Sequence, residues 1–370
     1  MSKLVGIFFC GALVFLAGCA TTPDELTPSG WPAANGVPPA QNPPPVKPIP
    51  SVVQSNLPSV TYSNPPPVTN FFKPPVARVF TWTSLSRWAA EQKISPPRLI
   101  AKSPLTTYAI SSGKGMMVLA IGTREATWNG VLLHLGFAPE IIDGEVYVHG
   151  LDLQKNLEPL LCEPPLAFGP NRVIVIDPGH GGINAGTISV LDKRPEKDFT
   201  LDWARRLKPL LEADGWKVFL TRTNDTDIAL SNRVTVAESR HADLFISLHF
   251  NSLAPDQKPV GLETFCLTPM GMPSTLKRDY PDILLQNFPN NSFDAQNLQL
   301  AERLQRALLH ATGLEDRGVS RARFIGVLRG QHRPSVLVEA GFLSNPREAK
   351  RIEDPEFRQK LAVAVATALK

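Results

Sequence analysis

The sequence predicts a layered α/β catalytic domain, a mixed twisted sheet flanked by helices, preceded by a small α+β domain and a disordered proline-rich tether. Three observations predict it. From Asn171 to Lys370 apolar strand-like runs alternate with amphipathic helical runs, the pattern of a layered α/β fold. Residues 77–165 give one helical stretch and then short strand-like runs separated by turn glycines. From Ala20 to about Val76 prolines crowd runs such as NPPPVKPIP (42–50) and FFKPPV (71–76), and their missing donors and fixed φ favour extended chain over a core.

At the N-terminus, Lys3 precedes the apolar run LVGIFFCGALVFLAG, which ends in Leu16, Ala17, Gly18 and Cys19. This reads as a secretory signal over 1–18 closed by a lipobox, with Cys19 the acylated first residue of the mature chain. A retained transmembrane anchor is the weaker reading, because the run falls short of the ~20 residues a spanning helix needs. Ala20, rather than an aspartate, follows the cysteine; by analogy with Gram-negative lipoproteins this points to the periplasmic face of the outer membrane. Residues 19–76 then form a semi-rigid tether of ~3 Å per residue where extended, letting the domains beyond stand off the membrane.

In the small domain TSLSRWAAEQ (83–92) is helical, and TTYAISS (106–112), GMMVLAIG (115–122) and EVYVHG (145–150) are strands. In the larger domain RVIVID (172–177), WKVFLT (216–221), DLFISLHF (243–250), VGLETFCL (260–267) and SVLVEA (335–340) are strands. Helices are expected over 198–214, closed by Gly215, over 231–240 with Ser231 as N-cap, over 295–312 and in the final PEFRQKLAVAVATALK.

Three strand ends deliver polar residues that a core would not tolerate: His180 in VIVIDPGHGG, His249 in SLHFNS and Glu339 in VLVEAGFLSN. Glu196 in RPEKDF stands at the mouth of the first helix. Two neutral imidazoles and a carboxylate, with a position left for water, are a usual ligand set for hydrolytic zinc, and a further carboxylate serves as general base. Each residue alone also has a bland explanation: a satisfied polar contact, a helix-dipole partner, or a glutamate paired with an arginine. His134 and His149 lack paired ligand spacing and read as ordinary surface or packing histidines.

The strings VIVIDPGHGG, EKD (196–198), LTR (220–222), ADLFISLHFN (242–251), VGLETF (260–265) and SVLVEAGFLSNPREA (335–349), in that order, resemble the zinc-dependent N-acetylmuramoyl-L-alanine amidases of the cell-wall hydrolase type. The resemblance covers essentially all of 172–370. It implies zinc held by His180, Glu196 and His249, with Glu339 as the catalytic glutamate, and hydrolysis of the amide joining N-acetylmuramic acid to L-alanine in peptidoglycan. Asp177 is expected to orient the His180 ring or its loop, Asn251 to contact substrate, and Arg222 and Arg317 either to do so or to form structural salt bridges. Separately, residues 118–161 resemble the small N-terminal stalk domain of copper amine oxidases, which implies a spacer or substrate-presenting role without copper.

The segment MGMPSTLKRDYPDILLQNFPNNSFD (270–294) is long for a strand-to-helix connection. Some members of the family carry an insertion that covers the zinc until an activator protein displaces it, and Asp279 or Asp282 would be the residues to reach the metal in that way; a substrate-shaping loop is the favoured expectation. Other readings are a non-catalytic peptidoglycan-binding lipoprotein and a zinc peptidase acting on wall peptides. A net charge of only +4 over 370 residues gives no call for nucleic acid. Once Cys10 leaves with the signal and Cys19 is acylated, Cys162 and Cys266 remain, and two thiols are expected rather than a disulfide.

Overall fold

The computed structural model describes residues 81–276 and 281–370, so the signal, Cys19, the proline-rich run and Asp279 lie outside the described residues. The described chain opens with β1 (Trp82–Ser84), α1 (Leu85–Glu91), β2 (Arg98–Ala101), β3 (Thr107–Ser112), β4 (Gly115–Ala120), β5 (Glu125–Trp128), β6 (Val131–His134), β7 (Glu140–Ile142) and β8 (Glu145–His149). A helical run follows, made of α2 (Gly150–Asp152), a π-helical turn (Leu153–Leu157) and α3 (Glu158–Leu161). Local chemistry sets the boundaries. Ser84 Oγ accepts the Arg87 N–H at the head of α1, and the positive-φ pairs Asn129–Gly130 and Asp143–Gly144 turn β5 into β6 and β7 into β8.

Beyond them come β9 (Val173–Pro178), α4 (Glu196–Ala213), β10 (Lys217–Leu220), α5 (Leu230–Ser239), β11 (Leu244–Asn251) and β12 (Leu262–Cys266). A 3-10 turn (Pro289–Phe293) leads into α6 (Asp294–Thr312), β13 (Asp316–Arg321), α7 (Gly326–Arg329), β14 (Ser335–Phe342), α8 (Pro346–Glu353) and α9 (Pro355–Ala368). Helix α4 starts two residues before its expected onset, which puts Glu196 on its first turn. Ser231 is not an N-cap: α5 begins from Ala229 without a side-chain cap, and Arg233 fastens its start by donating from Nε to Ile228 O at 3.0 Å.

One mixed sheet runs β10-β9-β11-β14-β12-β13-β6-β5-β4-β3-β2, while β1, β8 and β7 form a small antiparallel sheet. Its central strands are buried on both faces, as parallel strands in layered folds are. Ile174, Ile176, Ile246, Leu248 and Val338 belong to the large core with Phe199 and Trp203 of α4. Their neighbours Val173, Val175, Phe245, Phe265 and Leu337 meet Ala237 of α5 and Val327 and Leu328 of α7 in a smaller cluster. Because successive side chains alternate faces, Asp177, Ser247, His249, Glu263 and Glu339 share the face of that smaller cluster, toward the C-terminal ends of β9, β11 and β14. Polar residues there continue an apolar face.

The strands of the small α+β region extend this same sheet, β6 lying parallel to β13 with Leu133 opposite Val319. Strand β13 has no counterpart in the sequence reading, since DRGVSR contains one apolar residue. It is held by polar contacts: Asp316 accepts the Leu132 N–H at 2.7 Å and a Gln305 N–H at 2.8 Å. Arg321, 1% exposed, donates to Asn156 Oδ1 at 2.9 Å and Lys155 O at 2.7 Å. Asn156 in turn donates to Asp152, which also accepts the Gly136 and Phe137 amides. Every member of this buried chain has a partner, so it orders the junction instead of leaving charge stranded.

Candidate metal centre and active site

The loop after β9 explains its glycines. A Cβ on Gly179 would lie 2.2–2.7 Å from three atoms of the His249 ring, and one on Gly186, at φ +69°, would lie 2.6 Å from both Glu196 Oε2 and His180 Cδ2. Only glycine lets the backbone pass this close to the imidazoles and the carboxylate. His180, itself at φ +61°, points Nδ1 at Asn184 Oδ1, 2.8 Å away, and Nε2 at Glu196 Oε2, 3.0 Å away. Glu196 takes His249 Nδ1 on its other oxygen at 2.9 Å, and that oxygen also accepts the Phe250 N–H at 3.0 Å. The Thr187 N–H donates to Oε2 at 3.0 Å, so two backbone amides fix the carboxylate plane.

His180, Glu196 and His249 are all buried and can offer ligand atoms lying within 4.8 Å of one another. Electrostatics marks the space between them as a cation's place. Burial opposes a charged His180, but Glu196 and Asn184 outweigh it and hold its pKa above the usual imidazole value. His249 is fully enclosed, and burial takes its pKa down despite the same Glu196. Burial also works against an ionised Glu196, yet His180 and His249 together depress its pKa strongly. Two imidazoles and an ionised carboxylate at these distances fit zinc, the nitrogen–oxygen donor set of hydrolytic sites.

Glu339 is opposite His249 in the parallel β11–β14 register. It is 1% exposed, and its Oε2 has no hydrogen-bond partner among the described residues. Burial, then the charges of Glu196 and Glu263, push its pKa well above the ordinary glutamate value. Such a carboxyl binds a proton more readily than an exposed glutamate. On its other side β12 is antiparallel and pairs Glu263 with Glu339. Glu263 was not singled out from the sequence; its signal is a glutamate within the apolar string VGLETF. It is buried, 3.6 Å from Arg317, and burial raises its pKa against that arginine.

The other expected residues sort by what they touch. Asn251, two residues along β11 from His249, accepts the Ser252 N–H at 2.8 Å and has a buried Nδ2 without a partner. Asp177 does not reach the His180 ring, which Asn184 holds. Its carboxylate takes Thr221, Ser247 and Arg233, at 2.5, 2.7 and 2.6 Å, and Arg233 donates on to the backbone oxygens of Pro178 and His180. Asp177 therefore anchors the loop and not the ring. Arg222 differs from the substrate contact expected of it: it is 3% exposed, and its guanidinium donates to the carbonyls of Pro178, Gly179, Lys197 and Asn224. Nε, Nη1 and Nη2 are each engaged with a backbone carbonyl, because folding the glycine loop exposes carbonyls that such a buried fork satisfies.

Arg317 pairs with Glu263 and lies over the Phe342 ring at 5.0 Å. Asp282 accepts the Ser274 N–H at 2.7 Å and lies 4.0 Å from Arg323; it is no part of the metal cluster, so the expectation that it reaches the metal fails. His134 bonds Arg317 O and His149 accepts the Leu151 N–H, both packing roles. Cys162 and Cys266 are free thiols. Among the described residues no helix is long and apolar enough to cross a membrane.

A family model described as N-acetylmuramoyl-L-alanine amidase matches residues 174–370. Among similar proteins, N-acetylmuramoyl-L-alanine amidase AmiC of Escherichia coli O6:H1 is 34% identical over 243 residues, 59% of this chain and 58% of the relative. N-acetylmuramoyl-L-alanine amidase AmiA of Escherichia coli K12 is 32% identical over 219 residues, 54% of this chain and 75% of the relative. N-acetylmuramoyl-L-alanine amidase LytC of Bacillus subtilis 168 is 35% identical over 194 residues, covering 52% of this chain and 34% of the relative. The chain thus spans from about a third to three quarters of these relatives' length.

Proposed function

Because this chain belongs to the N-acetylmuramoyl-L-alanine amidases, we propose that it cleaves the amide between N-acetylmuramic acid and L-alanine in peptidoglycan, with zinc held by His180, Glu196 and His249. When bound, zinc supplies Lewis acidity and a water of near-neutral pKa. Glu339 takes the proton of the attacking water on its unpartnered oxygen and returns it to the departing nitrogen of L-alanine, so one carboxyl serves as base and then acid. Asn251 offers its unpartnered Nδ2 to a substrate carbonyl, and Asp177, through Arg233, keeps the His180 loop in place. The observation that carries this reading is the convergence of three buried ligand residues beside a buried, unpaired Glu339.

The same reading takes residues 1–18 as a signal peptide, Cys19 as the lipid attachment point and the proline-rich run as a tether, placing the enzyme on the periplasmic face of the outer membrane. Purified chain lacking the lipid, incubated with peptidoglycan, is expected to release stem peptides beginning at L-alanine, seen by mass spectrometry. Chelator should abolish the release and zinc restore it. Cleavage within the stem would instead identify a peptidase, and zinc-independent wall binding without products a binding lipoprotein.

A further inference from the structure

Away from the metal centre, α6 carries Arg303, Arg306 and His310 at positions i, i+3 and i+7, one face of a helix spanning ~10 Å. A cleft opens on either side of the two arginines. The first, of about 220 Å³, lies between α6 and the small α+β region; Trp128, Leu160 and Leu166 give it apolar walls, with Glu302, Arg303 and Arg306 opposite. The second, of about 520 Å³, lies between α6 and α9 and is floored by Ala307, Ala311, Val363 and Ala364, with Arg303, Arg306 and His310 along its wall.

The charges on this wall are poorly matched. Among the described residues no salt bridge holds Arg303, whose guanidinium lies 5.4 Å from the Phe168 ring centroid. Arg306, half-exposed, meets only Glu302, at 3.4 Å. Glu302 is 4% exposed, and its Oε1 has no hydrogen-bond partner among the described residues, so one buried carboxyl faces two guanidiniums. Lys114, on the rim, is already bonded to the carbonyls of Cys162 and Glu163. Glu163 also lines the first cleft, beside Asn129 and Gln299, and the two guanidiniums are shared by both clefts. Guanidiniums recognise carboxylates by paired hydrogen bonds, and clefts on both sides suit a chain that continues past its carboxylate.

We propose that these two clefts, joined at Arg303 and Arg306, form a second, non-catalytic site that binds a carboxylate-bearing peptide of the wall, the peptidoglycan stem. This rests on the amidase reading for the identity of the peptide, since stems are the carboxylate-rich peptides such an enzyme meets. Occupied by a neighbouring stem, the site holds the enzyme on the wall while the metal centre works on another.

The test is titration calorimetry of the chelator-treated chain with free stem tetrapeptide, beside turnover of intact peptidoglycan and of a soluble muramoyl-peptide by the zinc-loaded chain. Arg303→Glu/Arg306→Glu is expected to weaken tetrapeptide binding at least tenfold and to raise KM on intact wall several-fold, with kcat and soluble-substrate turnover unchanged. Arg303→Gln/Arg306→Gln, which keeps the shape and removes the charge, should fall between. Tetrapeptide binding equal in all three proteins, or binding of stem-free glycan in its place, overturns the proposal. If the zinc-loaded chain releases no peptide, the amidase reading fails, and the calorimetry still decides this site by itself.

Discussion

At the scale of single residues, the site is a set of close approaches that tolerate no added atom. Gly186→Ala would put a methyl group 2.6 Å from both Glu196 Oε2 and His180 Cδ2 at a positive φ, so zinc affinity by calorimetry is expected to fall by one to two orders of magnitude, about the effect of disturbing a ligand's supporting contacts. Glu339→Gln keeps the shape of the proposed base and removes its basicity; turnover should drop by about 10²–10⁴ with zinc content unchanged. The same change has a signature in stability. The pKa of Glu339 is raised in the folded chain, so the native state keeps a proton that the unfolded state loses near pH 4.5. Stability contributed by the protonated carboxyl is present below that pH and is lost as pH rises toward the folded pKa. In chelator, Glu339→Gln is therefore expected to melt above the parent at pH 7 and level with it at pH 4.

At the scale of elements, strand pairing puts the chemistry together. Parallel pairing of β11 with β14 sets His249 beside Glu339, and antiparallel pairing of β12 with β14 sets Glu263 on its other side. Two buried carboxyls as neighbours raise each other's proton affinity. Replacing Glu263 by Gln removes one of the charges that lift Glu339, so the acid limb of the pH–rate profile should move to lower pH; an unmoved limb would separate Glu263 from the base. The individual strands β9, β11 and β14 and the polar residues at their ends were legible as apolar runs broken by histidine or glutamate. Glu263 was not, because one glutamate in a buried strand gains its meaning only from the residue opposite it. The same limit hid Asn184, whose bond to the His180 ring closes over a turn, and it made Arg222 look available when four carbonyls already claim it.

At the scale of the whole molecule, the small α+β region and the region carrying the His180–Glu196–His249 cluster share one sheet. Strand β13, polar by sequence, is covered on one side by β12 and on the other by β6, and Arg321 reaches across to Asn156. Residues 171–370 produced without 81–165 would expose the unpaired β13 edge and remove the Asn156 and Lys155 partners of Arg321. That fragment is expected to unfold at lower denaturant than 81–370, or to associate through the edge, as seen by equilibrium unfolding and light scattering.

The sequence by itself determined most of the strands and helices of 171–370, because each depends on local apolar period, while the proposed ligands His180, Glu196 and His249 and the proposed base Glu339 came from the resemblance of their motifs to the amidase family. Tertiary structure alone decided which polar residues gather in the His180–Glu196–His249 cluster and which hold the loop, that Asp282 bonds away from that cluster, and that a strand as polar as DRGVSR is buried in the sheet. Those outcomes depend on partners far apart in the chain, such as Asp177 with Arg233 or Arg321 with Asn156, and a buried polar group is stable or costly according to the partner that folding brings to it.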